Sequence, residues 1–100
     1  MADCTLITEA YVPLKGLDGG RLMMHCGNAD MGAATDAELP TKLIEILMAK
    51  LTPGSYDDGA IVGGNVMFTD RVVTSKKVTI ERKVDAGGDT FSFILIGRVT

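Results

Sequence analysis

The chain has 100 residues, the length of one ordinary domain, and 46% of them are hydrophobic, which excludes a wholly disordered protein. Its net charge of −3 excludes a general affinity for polyanions, and no stretch reaches the ~20 apolar residues of a membrane-spanning helix. Residues 1–70 carry four basic and ten acidic side chains (net −6), whereas residues 71–100 carry six basic and three acidic ones (net +3). We therefore expect one domain, residues 1–100, with an acidic first part and a basic last part.

Two strands are predicted near the N-terminal end. Residues 4–12 are rich in β-branched and apolar types and stop at Pro13, and residues 21–26 form a second short apolar run. Residues 14–20 contain three glycines and an aspartate, which is typical of a loop. The two runs are therefore expected to form a hairpin.

The two cysteines belong to this hairpin. If Ala10 pairs with Gly20, Cys4 lies opposite Cys26. Two cysteines are too few for a disulfide scaffold, and the first residues show neither a basic start nor a long apolar run typical of a secretory signal. We expect free thiols and a cytoplasmic location.

The clearest helix signal lies between residues 35 and 51. Residues 35–38, Thr-Asp-Ala-Glu, fit a capping box, in which the Thr and Glu side chains satisfy backbone N–H groups. Apolar residues then recur every fourth position, as on one face of a helix: Leu39, Leu43, Leu47 and Leu51. Pro40 is tolerated only in a first turn, so the regular helix would begin there and end before Pro53.

Three further strands are predicted after the helix, over residues 60–69, 72–84 and 90–99. The resulting order is ββαβββ. It predicts an α+β fold, an antiparallel sheet of four to five strands with one main helix packed on one face.

A register can be argued for the last two of these strands. A four-residue loop over residues 86–89 would set Val84 opposite Phe91 and Ile80 opposite Leu95. A slip by one residue would turn the apolar side chains of the last strand toward charged neighbours, so burial favours the first register.

The last strand is apolar on both faces. Alternation puts Phe91, Phe93 and Leu95 on one face and Ile94 and Ile96 on the other. Either the fold covers both faces, as for a central strand, or Ile94 and Ile96, together with exposed methionines, form a patch that another protein covers. We take Ile94 and Ile96 as candidate partner-binding residues.

Chemical sites are weakly indicated. His25 and Cys26 are neighbours in a strand and so point to opposite faces, which suits neither a metal site nor a Cys–His nucleophile pair. The glycine-rich segments lack the spacing of a phosphate-binding loop. We predict no catalytic, cofactor-binding or metal-binding residue and expect a half-buried structural histidine.

Charged residues supply the other candidate partner-binding positions. Asp57 and Asp58 could compete with phosphate for a nucleic-acid-binding groove on a partner. Lys76 and Lys77 lie in a basic stretch that suits a protected sheet edge or weak phosphate contacts. Direct nucleic-acid binding is not favoured, because no recognition motif or interleaved aromatic residue accompanies the charge.

Three function classes follow. The favoured one is a non-enzymatic interaction protein that binds and blocks a larger protein or protein–nucleic acid complex, for example a phage or mobile-element inhibitor of host defence of the anti-CRISPR kind. The second is a self-assembling structural subunit of a virion or shell, a homo-oligomer formed through the face of Ile94 and Ile96. The third is a small enzyme centred on His25.

Overall fold

The computed structural model describes residues 2–32, 34–53, 67–82 and 90–100, and in those ranges the chain forms β-strands and no α-helix. The strands are β1 (Thr5–Pro13), β2 (Leu22–Asp30), β3 (Asp36–Pro40), β4 (Glu45–Pro53), β5 (Met67–Thr74), β6 (Lys77–Arg82) and β7 (Thr90–Arg98). A single 3-10 turn, Asp18–Gly20, lies between β1 and β2. The predicted α+β fold is therefore wrong: the described chain is all-β, and it contains no helix long and apolar enough to cross a membrane.

The strands form two antiparallel sheets that share one core. The first has four strands in the order β1-β2-β7-β4, and the second has three in the order β3-β6-β5. Phe93 and Leu95 of the first sheet and Leu39 and Ile80 of the second are all at most 1% exposed and belong to one apolar cluster. The two sheets therefore pack face to face, with interdigitating side chains between them.

The chain crosses between the sheets next to Cys4. Cys4 donates its backbone N–H to the Glu38 carbonyl at 2.7 Å, and Glu38 donates its own to the carbonyl of Ala2 at 2.9 Å. The segment before β1 thus lines the edge of the three-stranded sheet, and the following residues enter the four-stranded sheet. Cys4 is buried at this crossing.

The predicted helix is replaced by β3, a connecting loop and β4. Its four leucines belong to different environments, because Leu39 is buried in β3 and Leu43 is buried in the loop, whereas Leu47 of β4 is 40% exposed. Pro40 is the last residue of β3 and not the first of a helix. The spacing of four residues arises by coincidence across β3, the loop and β4, and packing in the shared core overrides the local helix preference.

The predicted pairing of the last two strands is also wrong. β6 and β7 lie in different sheets. Ile80 pairs with Ala37 and Thr69, and Leu95 pairs with His25 and Ala49. Val84 lies outside the described residues. The need to bury apolar side chains determines which face of a strand points to the core, but it does not determine which strand is its neighbour. Burial alone could therefore not predict this pairing.

A hairpin turn lies inside the stretch predicted as one strand over residues 72–84. β5 and β6 pair as antiparallel neighbours, with Thr74 opposite Lys77 and only Ser75 and Lys76 between them. Both central residues have positive φ, 53° and 63°, as a mirror-image two-residue turn requires. The turn carries neither Asn nor Gly, so no residue pattern predicted it. The predicted strand over residues 60–69 is described only from Met67, within β5.

The N-terminal hairpin is confirmed, although its register differs from the expected one. Ala10 pairs with Cys26 and not with Gly20, because β2 continues to Asp30. Cys4 and Cys26 are therefore not opposite each other, and both are free thiols.

Two glycines allow the edge strands of the four-stranded sheet to bulge. A Cβ atom on Gly27 would overlap the carbonyl of Thr8 in β1, and one on Gly97 would overlap the carbonyl of Glu45 in β4. Both edge strands are irregular beside these positions. The missing side chains thus permit the bulges that bend β1 and β4 around the central strands.

Candidate protein-binding face

The four-stranded sheet has an outer face, turned away from the core. Phe93 and Leu95 of β7 point into the core, so the alternate residues Ile94 and Ile96 point outward. The register sets Cys26 of β2 beside Ile94 and Met24 beside Ile96. The face on which sequence analysis placed Ile94 and Ile96 is therefore continuous with β2.

The outer face continues onto both edge strands of this sheet, β1 and β4. Val12 of β1 pairs with Met24, and Met48 of β4 pairs with Ile96. Met48 is 59% exposed, Ile94 41% and Val12 40%. We call the following set the outer apolar face: Ala10, Val12, Met24, Cys26, Met48, Ile94 and Ile96.

A ladder of polar side chains borders the outer apolar face at one end. The Thr8 hydroxyl donates to Asn28 Oδ1 at 2.8 Å, and Asn28 Nδ2 donates to the Ser92 hydroxyl at 2.8 Å. These groups satisfy one another across three strands, so this end of the face is polar but uncharged.

An ion-pair cluster borders the opposite end. The guanidinium of Arg98 contacts Asp18 and Glu45, and Arg21 contacts the Asp18 carboxylate at 3.0 Å. Hydrogen bonding from Arg98 lowers the pKa of Asp18 below its usual range. The two cations and two anions of this cluster balance one another.

Lys50, paired with Ile94 at the β4 edge, forms no ion pair with any residue that the structure describes.

Lys76 and Lys77, two other predicted partner-binding residues, do not join this face. Lys76 and Lys77 lie at the β5–β6 turn of the other sheet, and Lys77 Nζ is 2.9 Å from the Asp3 carboxylate. That hydrogen bond raises the pKa of Lys77. Asp57 and Asp58 lie outside the described residues. Strand alternation could have identified Met24 and Cys26. Both are neighbours of His25 in β2, so they point outward if His25 points into the core.

His25 lies on the inner side of the same sheet and is fully buried, not half-buried as expected. Its ring stacks on Tyr11, with 4.1 Å between centroids and 9° between planes, and meets Phe93 edge-on at 4.9 Å. Burial lowers the pKa of His25 below its usual value. The imidazole is therefore held neutral near pH 7.

Both ring nitrogens of His25 have partners. Nδ1 is 2.9 Å from the Thr41 hydroxyl, and Nε2 is 3.4 Å from the Glu9 carboxylate. A proton on Nε2 satisfies both contacts, since Nε2–H then donates to Glu9 and Nδ1 accepts from Thr41. Thr41 in turn accepts from the Leu43 N–H at 3.2 Å.

The His25 ring has no solvent-exposed surface, and Cys26 points to the opposite face of the sheet. Cys4 is no better placed as a nucleophile, because burial raises the pKa of its thiol to about 11 and keeps it protonated. Across the described ranges, no group of three or more His, Cys, Asp or Glu residues could hold a metal ion.

Comparison of the chain with protein-family models, with curated proteins and with solved structures finds no match. The residues and their geometry are therefore the basis for any functional conclusion.

Proposed function

We propose that this protein is a non-enzymatic binding protein that covers and blocks a surface of a larger protein or protein–nucleic acid complex. The outer apolar face is its contact surface. The observation that carries the proposal is that the central strand β7 is buried on one side and leaves Ile94 exposed among Met24, Cys26 and Ile96 on the other. A one-sided antiparallel sheet normally presents polar side chains to water, so an apolar outer face favours a partner.

The chemistry of the outer apolar face favours a protein surface over nucleic acid. Nucleic-acid binding depends on cations free to contact phosphate, and the charge of Arg98 is balanced by Asp18 and Glu45. Methionine side chains adapt to partners of different shape, and Met24 and Met48 lie on either side of Ile96. A cytoplasmic location, consistent with two free thiols, belongs to the same proposal. Inhibition of a host defence complex by a phage or mobile-element product is one such action.

Self-assembly through the same face is the second candidate. The outer side of the sheet carries almost no unpaired charge, which favours self-assembly. Lys50 is the one cation on the outer side of the described sheet without an ion pair. A second copy would therefore meet little like-charge repulsion.

The test pairs Ile94→Asp with Val72→Asp. Val72 lies in the other sheet and is 58% exposed, so its variant controls for adding a carboxylate to an exposed apolar position. Each protein is first sized by light scattering and then used to capture partners from the host lysate, with quantitative mass spectrometry. We expect a 10.6 kDa monomer and a partner captured by wild type and Val72→Asp but lost with Ile94→Asp.

Other outcomes separate the candidates. A wild-type oligomer that Ile94→Asp converts to a monomer favours self-assembly. Equal capture of the same partner by all three folded proteins would show that the outer apolar face is not the contact surface. Circular dichroism establishes that the variants keep the sheet structure.

A further inference from the structure

A cavity of about 230 Å³ lies on the inner side of β1, away from the outer apolar face. It is formed where β1, the end of β3 with the following loop, and the β5–β6 turn meet. Its apolar lining comes from Leu6, Tyr11 and Pro40. Cavities that take drug-sized ligands have volumes of ~300–1,000 Å³, so this one suits a smaller molecule.

Hydrogen bonds join the three chain segments that surround the cavity. The Lys42 backbone N–H donates to the Tyr11 hydroxyl at 3.0 Å, and the Thr41 N–H donates to the Lys76 carbonyl at 3.0 Å. Behind this wall, Thr41 is also bound to His25. The cavity is therefore shaped before any ligand arrives, which lowers the entropic cost of binding.

The charges at the rim are unequal. Lys42 and Lys76 both line the cavity, and neither forms an ion pair with a residue of the described ranges. The Lys42 ammonium lies 5.3 Å from the centre of the Tyr11 ring. Among the described residues of the lining, Glu9 is the one acidic residue, and its carboxylate faces the buried His25 at 3.4 Å. These described side chains, two cations and one anion, give the rim a net positive charge.

We propose that this cavity binds a small organic monoanion of the carboxylate class. The carboxylate would lie between the ammonium groups of Lys42 and Lys76, and a compact apolar body would contact Leu6 and Pro40. The His25 ring stacks on the Tyr11 ring and the Lys42 ammonium lies over it, so the ligand would meet the edge of the Tyr11 ring. This site uses no residue of the outer apolar face and does not depend on the proposed function.

The probe is benzoate, titrated into ¹⁵N-labelled full-length protein and followed by amide chemical shifts. Benzamide has the same shape without the charge, and inorganic phosphate has charge without an apolar body. We expect saturable shifts at Thr41, Lys42 and Lys76, with a Kd on the order of 1 mM. Benzamide should bind roughly fivefold more weakly, the size of effect expected for exposed ion pairs.

Matched variants test the assignment of charge. Lys42→Gln and Lys76→Gln should each weaken benzoate binding, and Glu9→Gln should strengthen it. Lys50→Gln removes a lysine from the other side of the sheet and should leave the affinity unchanged. Equal binding of benzamide, wild-type affinity in both cavity lysine variants, or no saturable shift would each overturn the proposal. Phosphate binding as tight as benzoate binding would also overturn it, since the apolar body would then contribute nothing.

Discussion

At the scale of single residues, His25 makes the stability of the protein depend on pH. Its pKa is lowered in the folded state, first by burial, so the unfolded chain binds a proton more readily. The contribution of neutral His25 to stability is therefore fully present above the usual histidine pKa of ~6.5. It is lost as the pH falls from there toward the lower pKa of the folded state. We expect the free energy of unfolding to fall between pH 7 and pH 5, by at most about 1.4 kcal/mol per pH unit. Urea unfolding at several pH values measures this.

The control for this prediction is His25→Gln, which keeps hydrogen-bonding capacity but does not titrate. Its unfolding free energy should be lower at pH 7, because the stacking on Tyr11 is lost, yet nearly constant down to pH 5. Asp18 also has a lowered pKa, but its contribution is lost only as the pH falls below the usual value of 3.8. An unchanged slope in His25→Gln would mean that other groups titrate in this window.

Part of the environment of His25 could be predicted from the sequence. Strand alternation correctly separated His25 from Cys26, because opposite faces follow from backbone geometry alone. It could not show that His25 is fully buried, since that depends on Thr41 and Glu9, which lie 16 positions away in the chain in each direction.

At the scale of elements, local pattern succeeded for strands with continuous β-branched or apolar runs and failed between residues 35 and 51. β7, predicted over residues 90–99, is observed at Thr90–Arg98. The sequence of β3, the following loop and β4 resembles that of a helix, since Leu39, Leu43 and Leu47 share a spacing that helices also use. Pro40 was the conflicting signal, and it fits the end of a strand as well as it fits a helix start.

The β5–β6 turn gives an element-scale prediction. Ser75 and Lys76 both adopt positive φ, where side chains other than Gly and Asn are strained by roughly 1–2 kcal/mol per residue. Asn relieves only part of this strain and Gly adds backbone entropy to the unfolded chain. The double variant Ser75→Asn, Lys76→Gly should therefore raise the free energy of unfolding by about 1–2 kcal/mol in total. Thermal and urea unfolding measure the change.

The matched control for the turn is Lys77→Gly, one position further along. Lys77 is paired with Thr74 at the start of β6, so glycine there should destabilise the protein. A double variant no more stable than wild type would indicate that the turn is not strained in solution.

At the scale of the whole molecule, the two apolar faces of β7 left open whether the fold covers both of them, and the structure places β7 between β2 and β4 with Ile94 41% exposed. The same pattern could not decide whether Ile94 was covered. A chain of this length has one core to build, and the three-stranded sheet covers only the inner side of β7. Which sheet covers which face depends on long-range pairing, such as that of β2 with β7, and no local pattern encodes it.

The rates at which Cys4 and Cys26 are chemically modified can show whether the two sheets separate in solution. Cys26 lies half-buried on the outer apolar face, whereas Cys4 is buried where the chain crosses between the sheets. Burial, with Asp3 and Asp30 nearby, raises the pKa of Cys4 from 9.0 to about 11, which lowers its thiolate fraction ~100-fold. At pH 8 we therefore expect iodoacetamide to modify Cys26 quickly and Cys4 only as fast as the sheets separate, as followed by mass spectrometry of the intact protein.

A core variant distinguishes opening from simple crowding around the sulfur. Leu95→Ala should cost about 2–5 kcal/mol, because Leu95 is fully buried between the sheets. If Cys4 reacts only when the sheets separate, this variant speeds its modification strongly and leaves the rate at Cys26 nearly unchanged, with Cys4→Ala and Cys26→Ala assigning each rate. Similar rates at the two thiols of the wild-type protein, or an equal acceleration of both in Leu95→Ala, would contradict a closed two-sheet core around Cys4. Slower modification of Cys26 alone upon addition of a partner would place that partner on the outer apolar face.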